Sequence, residues 1–306
     1  MTSPIVLAPP LSRPVFYSPS QLTTYKHCAR QWVWERVYYY RKPKSDQMKL
    51  GDAIHAENEA YVKTGALPVD PRARESLRHL DPIIAKASGR LRAEGKFTIA
   101  LPTPGRFYTG FIDLLDHNPE RPEVVDYKTM KDLKWGKVEH ELREDVQMLS
   151  YAHAAIDLIP APDAQAFKLR HIQIQTQKVG KNGKSDSVDT TVSREHVESR
   201  WGQYLKIIDQ IEEVRTLPID EVPLPPGGYG GAACKAYGGC YHLERCALVQ
   251  SGYPVPINPA PPEKTSPGHR PDPEPASPDA PSPIMEALLG PVNPPDSTRR
   301  PEGSLA

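Results

Sequence analysis

The stretch F-Y-T-G-F-I-D-L-L-D-H-N-P-E-R-P-E-V-V-D-Y-K-T, residues 107–129, decides how the rest of the chain is read. Phe107 to Asp116 has the composition of a strand. His117-Asn118-Pro119-Glu120-Arg121-Pro122 gathers turn residues, and V-V-D-Y-K-T resumes as a second strand. Strand side chains alternate with period two, so Asp126 and Lys128 share one face. A hairpin of these two strands sets Asp113 beside Asp126, so that two carboxylates and one ammonium converge.

That trio has a chemical use. Mg²⁺ and Mn²⁺ prefer carboxylate oxygen, with water and substrate phosphate filling the remaining positions. A bound ion acidifies its water and offsets charge on phosphorus, while a nearby lysine can orient that water or share the phosphate's charge. Ordinary solvated charges on a surface hairpin are the alternative for D-x-K taken alone. Further pairs point the same way. Gly51 and His55 are four residues apart, as are Gln147 and Tyr151, so each pair shares one face of a helix. Glu57 and Glu59 near His55 read as solvated surface charge, with ligation of a second ion as the alternative.

In order, G-x-x-x-H (Gly51 to His55), G-x-x-D (Gly110 to Asp113), D-x-K-T (Asp126 to Thr129) and Q-x-x-x-Y (Gln147 to Tyr151) resemble the RecB-type branch of the PD-(D/E)XK nuclease superfamily. The resemblance spans about residues 17 to 250. It implies an α/β fold, a restriction-endonuclease-like core with a central mixed sheet flanked by helices. It further implies that His55, Asp113 and Asp126 bind Mg²⁺ or Mn²⁺ together with the carbonyl of Tyr127. Lys128 would assist the attacking water, and Gln147 and Tyr151 would contact the site or DNA.

Four cysteines give a second signal: Cys28 near the start, then Cys234, Cys240 and Cys246 spaced C-x5-C-x5-C. Two disulfides are arithmetically possible, but nothing marks the chain as secreted, and a cytoplasmic cysteine cluster more often binds metal. Zinc sites usually show C-x(2–4)-C pairs, which are absent, whereas a [4Fe–4S] cluster tolerates wider spacing. One distant cysteine followed by three clustered ones resembles the iron–sulfur subset of the same superfamily, which includes the CRISPR-associated exonucleases. That resemblance implies a structural [4Fe–4S] cluster, with zinc as runner-up, fastening the C-terminal segment to the N-terminal helix. Two of the last three cysteines are commonly closer together in that subset than they are here.

The chain has 306 residues and 35 prolines, sixteen of them between Gly252 and Ala306. That stretch has little apolar material to offset its ordering entropy, so residues 251–306 read as a disordered tail. Ile284-Met285-Glu286-Ala287-Leu288-Leu289 is its one apolar island. Residues 1–16 read as an extended lead rather than a signal peptide, leaving 17–250 as the folded domain. Lysine plus arginine and aspartate plus glutamate each number 38; the tail is acidic, which leaves the first 250 residues weakly positive. Between Lys26 and Lys49, Trp32, Trp34 and Tyr38 to Tyr40 alternate with cations, a composition suited to a single-stranded nucleic-acid path. The competing reading is an amphipathic core helix in which Leu22, Tyr25, Cys28 and Trp32 face inward.

Helices are expected from Ser18 (N-cap, with Pro19 at N1 and Gln21 at N3) to about Tyr39, over 49–64, over 71–94 with Pro82 kinking or dividing it, over 145–158, and over 194–217. Strands are expected over 167–177, with Ile172 and Ile174 on one face, and over 187–192, separated by a G-K-N-G-K turn. No stretch approaches twenty apolar residues. The sequence therefore points to a cytoplasmic, metal-dependent deoxyribonuclease, an exonuclease acting on single-stranded DNA or DNA ends, with no membrane partner. Helicase, recombination or CRISPR proteins are the partners the resemblance suggests; the chain has no P-loop to drive unwinding through that motif. Two other classes stay open: a DNA-end-binding adaptor with little cleavage of its own, and an iron–sulfur redox sensor.

Overall fold

The structure, a computed structural model, describes residues 14–87, 89–158, 164–177 and 183–253. The chain divides into two units, Met1–Thr265 and Ser266–Ala306, and every described residue lies in the first. The expected tail, with its apolar island, and most of the expected lead and G-K-N-G-K turn fall outside the described residues.

The chain opens with a short strand β1 (Val15–Tyr17), then α1 (Pro19–His27) and α2 (Ala29–Arg36). A single helix to Tyr39 was expected here. The break comes at Cys28, whose backbone is extended (φ −163°, ψ 112°) and whose Sγ accepts the Gln31 N–H, capping α2. Ser18 does occupy the N-cap of α1 with Pro19 in its first turn, but its hydroxyl makes no capping bond. Gln21 instead donates to the Phe16 carbonyl, so the expected box is open.

Two long helices come next. In α3 (Asp46–Thr64), Ser45 caps the start by accepting from Met48 N at 3.3 Å, and Gly65 ends it in a left-handed conformation at φ 74°. The helix α4 (Pro71–Ala87) begins on Pro71 and runs through Pro82 without dividing. It stops earlier than expected because Gly89 turns the chain at φ 83°, and Leu91–Ala100 forms β2 rather than the last turns of the helix expected to 94. The polar-rich R-A-E-G-K segment hides that strand from a period-two reading; pairing with its neighbour creates it.

The site-bearing strands are β3 (Arg106–Asp116) and β4 (Glu123–Met130). After a 3₁₀ turn (Leu133–Trp135) and the short α5 (Glu139–Arg143) comes α6 (Val146–Leu158), started by Asp145, whose Oδ1 accepts from Met148 N at 2.9 Å. Then come β5 (Ala166–Gln175), β6 (Ser185–Ser193), α7 (Arg194–Val214) and two short helices, α8 (Ala232–Lys235) and α9 (Leu243–Gln250). The turn and α5 were not expected.

All strands join one mixed sheet in the order β1-β3-β4-β5-β6, with β2 along β3. The β2–β3, β3–β4 and β5–β6 pairs are antiparallel, and β1–β3 and β4–β5 are parallel. This is an α/β fold with a mixed central sheet flanked by helices. On one face Ile54, Ala73, Leu77, Leu80 and Ile83 of α3 and α4 pack on Leu114, Val125, Tyr127, Ile172 and Ile174. Period-two alternation then turns Asp126 and Lys128 away from that cluster and toward α6, which packs on β3, β4 and β5.

The segment of α2 closes on the described residues 220–246. Buried Arg30 donates to the carbonyls of Asp220 and Val222, and buried Trp34 donates through Nε1 to Cys246 Sγ at 3.2 Å. In the run of 26–49 the core thus takes Arg30 and most of the large aromatic side chains, while Lys26, Arg41, Lys42 and Lys44 stay exposed. Trp32, Trp34 and Tyr38 are buried, while Lys44 and Lys49 pair with Asp52 and Asp46. Among the described residues no helix is long and apolar enough to cross a membrane.

Candidate active site

The β3–β4 hairpin pairs Leu114 with Val125, which carries Asp113 alongside Asp126. Asp113 Oδ2 accepts the Tyr127 N–H at 2.8 Å, so the first carboxylate is fixed to the backbone between the second carboxylate and the lysine. From α3, His55 Nδ1 stands 3.4 Å from the same Oδ2. From α6, Gln147 Nε2 donates to Asp126 Oδ1 at 2.9 Å and to Tyr151 Oη at 2.6 Å, while its Oε1 accepts from Lys128 Nζ at 2.7 Å. One amide thus holds the acid, the ammonium and the phenol together. The structure brings His55, Asp113, Asp126, Lys128, Gln147 and Tyr151 into one group. Tyr127 lies between the motif residues, with its ring in the core on the other face and 5.5 Å from the His55 ring.

The motif glycines have a steric reason. A Cβ on Gly51 would stand 2.7 Å from Thr129 Oγ1, so glycine is what lets α3 lie close on β4. A Cβ on Gly110 would stand 2.7 Å from the Phe97 ring and 3.2 Å from the Tyr151 ring. By contrast, Glu57 accepts the backbone N–H groups of Val69 and Asp70, and Glu59 pairs with Lys63. Both serve the scaffold.

Burial and charge oppose each other throughout. Asp126 is 1% exposed; burial pushes its carboxyl up to about 7, Asp113 adds to the rise, and Lys128 and His55 pull against it. For Lys128 burial pulls downward, but Asp126 and Asp113 outweigh it and hold the ammonium above its ordinary value. His55 behaves likewise: burial lowers it, and the bond to Asp113 with the charges of both aspartates carries it above the usual imidazole. Lys128 Nζ stands 2.6 Å from Asp126 Oδ2, so ammonium and carboxylate form a buried ion pair.

Sequence reasoning missed His171. It sits directly across from Asp126 in the parallel β4–β5 register, 1% exposed, its Nε2 3.8 Å from Asp126 Oδ2 and without a hydrogen-bond partner. Burial pushes its imidazole down to about 4, helped by the Lys128 charge. The signal was available: H-I-Q-I-Q alternates polar residues against Ile172 and Ile174, and on a strand covered on both faces the polar face must meet a site.

The donor set suits a hard cation. Two carboxylates and an imidazole converge beside one ammonium. Among the described residues no three or more His, Cys, Asp or Glu side chains form a ready cage. Mg²⁺ and Mn²⁺ need no such cage, since one or two carboxylates with water and substrate oxygens suffice.

All four cysteines are free thiols. Cys240 Sγ accepts from His242 N, and the Cys240 N–H bonds to the Cys234 carbonyl at 2.8 Å. Burial raises the thiols of Cys28, Cys240 and Cys246, and their mutual charges add to the rise, Cys234 acting on Cys240 and Cys246. The four therefore lie within electrostatic reach of one another. They are not drawn to a single point, and the ligand shell expected from the spacing is not formed.

The profile of the PD-(D/E)XK nuclease superfamily matches residues 17–92 and 92–247. Among solved structures, the chain is similar to a protein of Eubacterium rectale named as a candidate exonuclease, at 12% identity and a TM-score of 0.46, with 90% of this chain and 93% of that one covered. It is also similar to a phage-related exonuclease from Haemophilus somnus, at 15% identity and a TM-score of 0.28, with 65% and 96% covered. No curated protein matches it.

Proposed function

The chain belongs to the PD-(D/E)XK nuclease superfamily, and from that premise we propose that it is a Mg²⁺- or Mn²⁺-dependent deoxyribonuclease that degrades single-stranded DNA or DNA ends as an exonuclease. The observation that carries this reading is the convergence of Asp113, Asp126, Lys128 and His55, with Gln147 bonding Asp126 and Lys128 and His55 standing against Asp113. Superfamily members generally use divalent ions. Here Asp113, Asp126, His55 and the Tyr127 carbonyl would hold one.

When bound, such an ion supplies Lewis acidity toward phosphate oxygen and a more acidic water. The residues do the rest. Gln147 fixes Asp126 and Lys128 relative to each other, so neither has to reorganise as the substrate enters. Lys128, kept charged by the aspartates, directs its N–H groups at the attacking water and at the negative charge growing on the phosphate. Water oxygen bonds to phosphorus and gives up a proton to solvent as the bond to the leaving oxygen breaks, and that oxygen takes a proton from solvent, giving a phosphate end and a hydroxyl end. Tyr151 and Asp113 anchor the frame through Gln147 and the Tyr127 N–H.

Cys28, Cys234, Cys240 and Cys246 are proposed as ligands of a structural [4Fe–4S] cluster, with zinc the alternative occupant. Support comes from the spacing of the four free thiols and from their lying within electrostatic reach of one another. Visible absorption and iron analysis of anaerobically purified protein, lost in Cys246→Ser, test this independently of activity. The catalytic reading is tested with end-labelled single- and double-stranded oligonucleotides in Mn²⁺. A product ladder shrinking from one end is expected; intact substrate in both Mn²⁺ and Mg²⁺ overturns it.

A further inference from the structure

The segment leaving the catalytic strand carries an exposed tryptophan. Lys131-Asp132-Leu133-Lys134-Trp135-Gly136-Lys137 continues directly from β4, and Trp135 is 73% exposed. Tryptophan gains more than most side chains from burial. Elsewhere the chain uses it that way: Trp32 and Trp34 are buried, and Trp201 packs between His153 and Tyr108.

Trp135 is held in solvent by a built turn. Asp132 Oδ1 accepts from Lys134 N at 3.1 Å, the Asp132 carbonyl from Trp135 N at 3.1 Å, and the Leu133 carbonyl from Gly136 N at 2.8 Å. The neighbouring strand anchors both sides of the turn. Gln175 Oε1 accepts from Leu133 N at 3.4 Å, and Gln173 Nε2 donates to the Lys137 carbonyl at 2.7 Å. Gly136 lies so close to Gln173 that a Cβ would overlap its Oε1, and Gln173 is the register partner of Lys128. The strand beside the catalytic lysine therefore positions the tryptophan directly.

The surroundings are cationic. Lys134 Nζ lies 5.2 Å from the Trp135 ring centre, Lys131 is exposed, and Lys137 pairs with Asp145. Among the described residues neither Lys131 nor Lys134 has an acidic partner. An apolar protein partner would leave these ammonium groups without counter-charge. An unpaired nucleotide meets both features, since its base offers a π-face to Trp135 and its phosphates offer charge to the lysines.

We infer that Trp135 is a base-stacking platform for an unpaired nucleotide of the strand entering the active site, with Lys131 and Lys134 on the flanking phosphates. The inference rests on the deoxyribonuclease reading and names its substrate as single-stranded. It is tested by steady-state cleavage with the full-length chain in Mn²⁺, on a mixed-sequence single strand and on a strand of the same length made of abasic residues.

On the normal strand, Trp135→Ala is expected to raise KM about tenfold and leave kcat within about twofold, and Trp135→Phe to restore most of the loss. On the abasic strand, wild type and Trp135→Ala should be equal. Lys131→Gln with Lys134→Gln should flatten the salt dependence of KM by about two units of logarithmic slope. An unchanged KM in Trp135→Ala, or an equal loss on both strands, overturns the platform while cleavage by the wild type keeps the nuclease reading intact. Wild-type protein that cuts no DNA removes both.

Discussion

Asp126 meets an amide on one oxygen and an ammonium and a buried imidazole near the other, all while shut away from solvent. A carboxylate so placed is costly to ionise; the Lys128 ammonium offsets part of that cost, and a bound cation would offset more in the proposed mechanism. The opposite case is His117, just past β3, where burial, with Arg92 adding to it, pushes the imidazole down to about 4. Its buried Nε2 has no partner. Between about pH 6.5 and 4 the unfolded chain binds a proton there that the folded chain refuses, so stability is full above that window and falls as pH is lowered through it. His117→Gln removes that group. Urea unfolding at pH 7 and pH 5 should show the variant losing less stability on acidification than the wild type; equal losses would contradict the assignment. The motif residues were legible because each carries a spacing with chemical meaning. His171 and Gln173 were not, because attention to the apolar half of an alternating strand conceals the polar half.

Elements are where sequence and structure diverge most. The N-terminal helix is split because Cys28 takes an extended backbone and caps α2, and no local propensity announces that. The strand β2 was hidden in a polar run that only pairing with β3 makes a strand. The helix carrying His55 was legible at its core because Gly51 and His55 share a face, and the reason for glycine emerges only in three dimensions. Gly51→Ala pushes a methyl into Thr129 Oγ1 and lifts α3 from β4, moving His55 from Asp113. Cleavage should fall about ten- to a hundredfold, since small displacements of positioned groups cost that much. Thr129→Ala removes the hydroxyl, and the double variant should regain most of the rate. A double variant no faster than Gly51→Ala alone would show that the glycine serves something other than this approach.

Across the whole molecule, the superfamily profile covers residues 17–247, so the fold class and the order of the motifs were written in the sequence. Closure of the chain was less so. Arg30 reaching the carbonyls of Asp220 and Val222 pairs residues too distant along the chain for any pattern to connect. Residues 251–306, rich in proline, are proposed to be dispensable for catalysis. A chain ending at Tyr253 should keep the full-length melting temperature within about 2 °C, the scale of a sub-kcal/mol change, and keep its cleavage rate. A large loss of either would place the tail in the working enzyme. The central claim is that Asp113, Asp126 and Lys128 together sever phosphodiester bonds, and single-turnover cleavage of a labelled single strand in Mn²⁺ measures it most directly. Asp126→Ala and Lys128→Ala, each folded by circular dichroism, should be at least about a thousandfold slower than wild type, the combined loss of charge stabilisation and positioning. Wild-type rates in either folded variant would contradict the account.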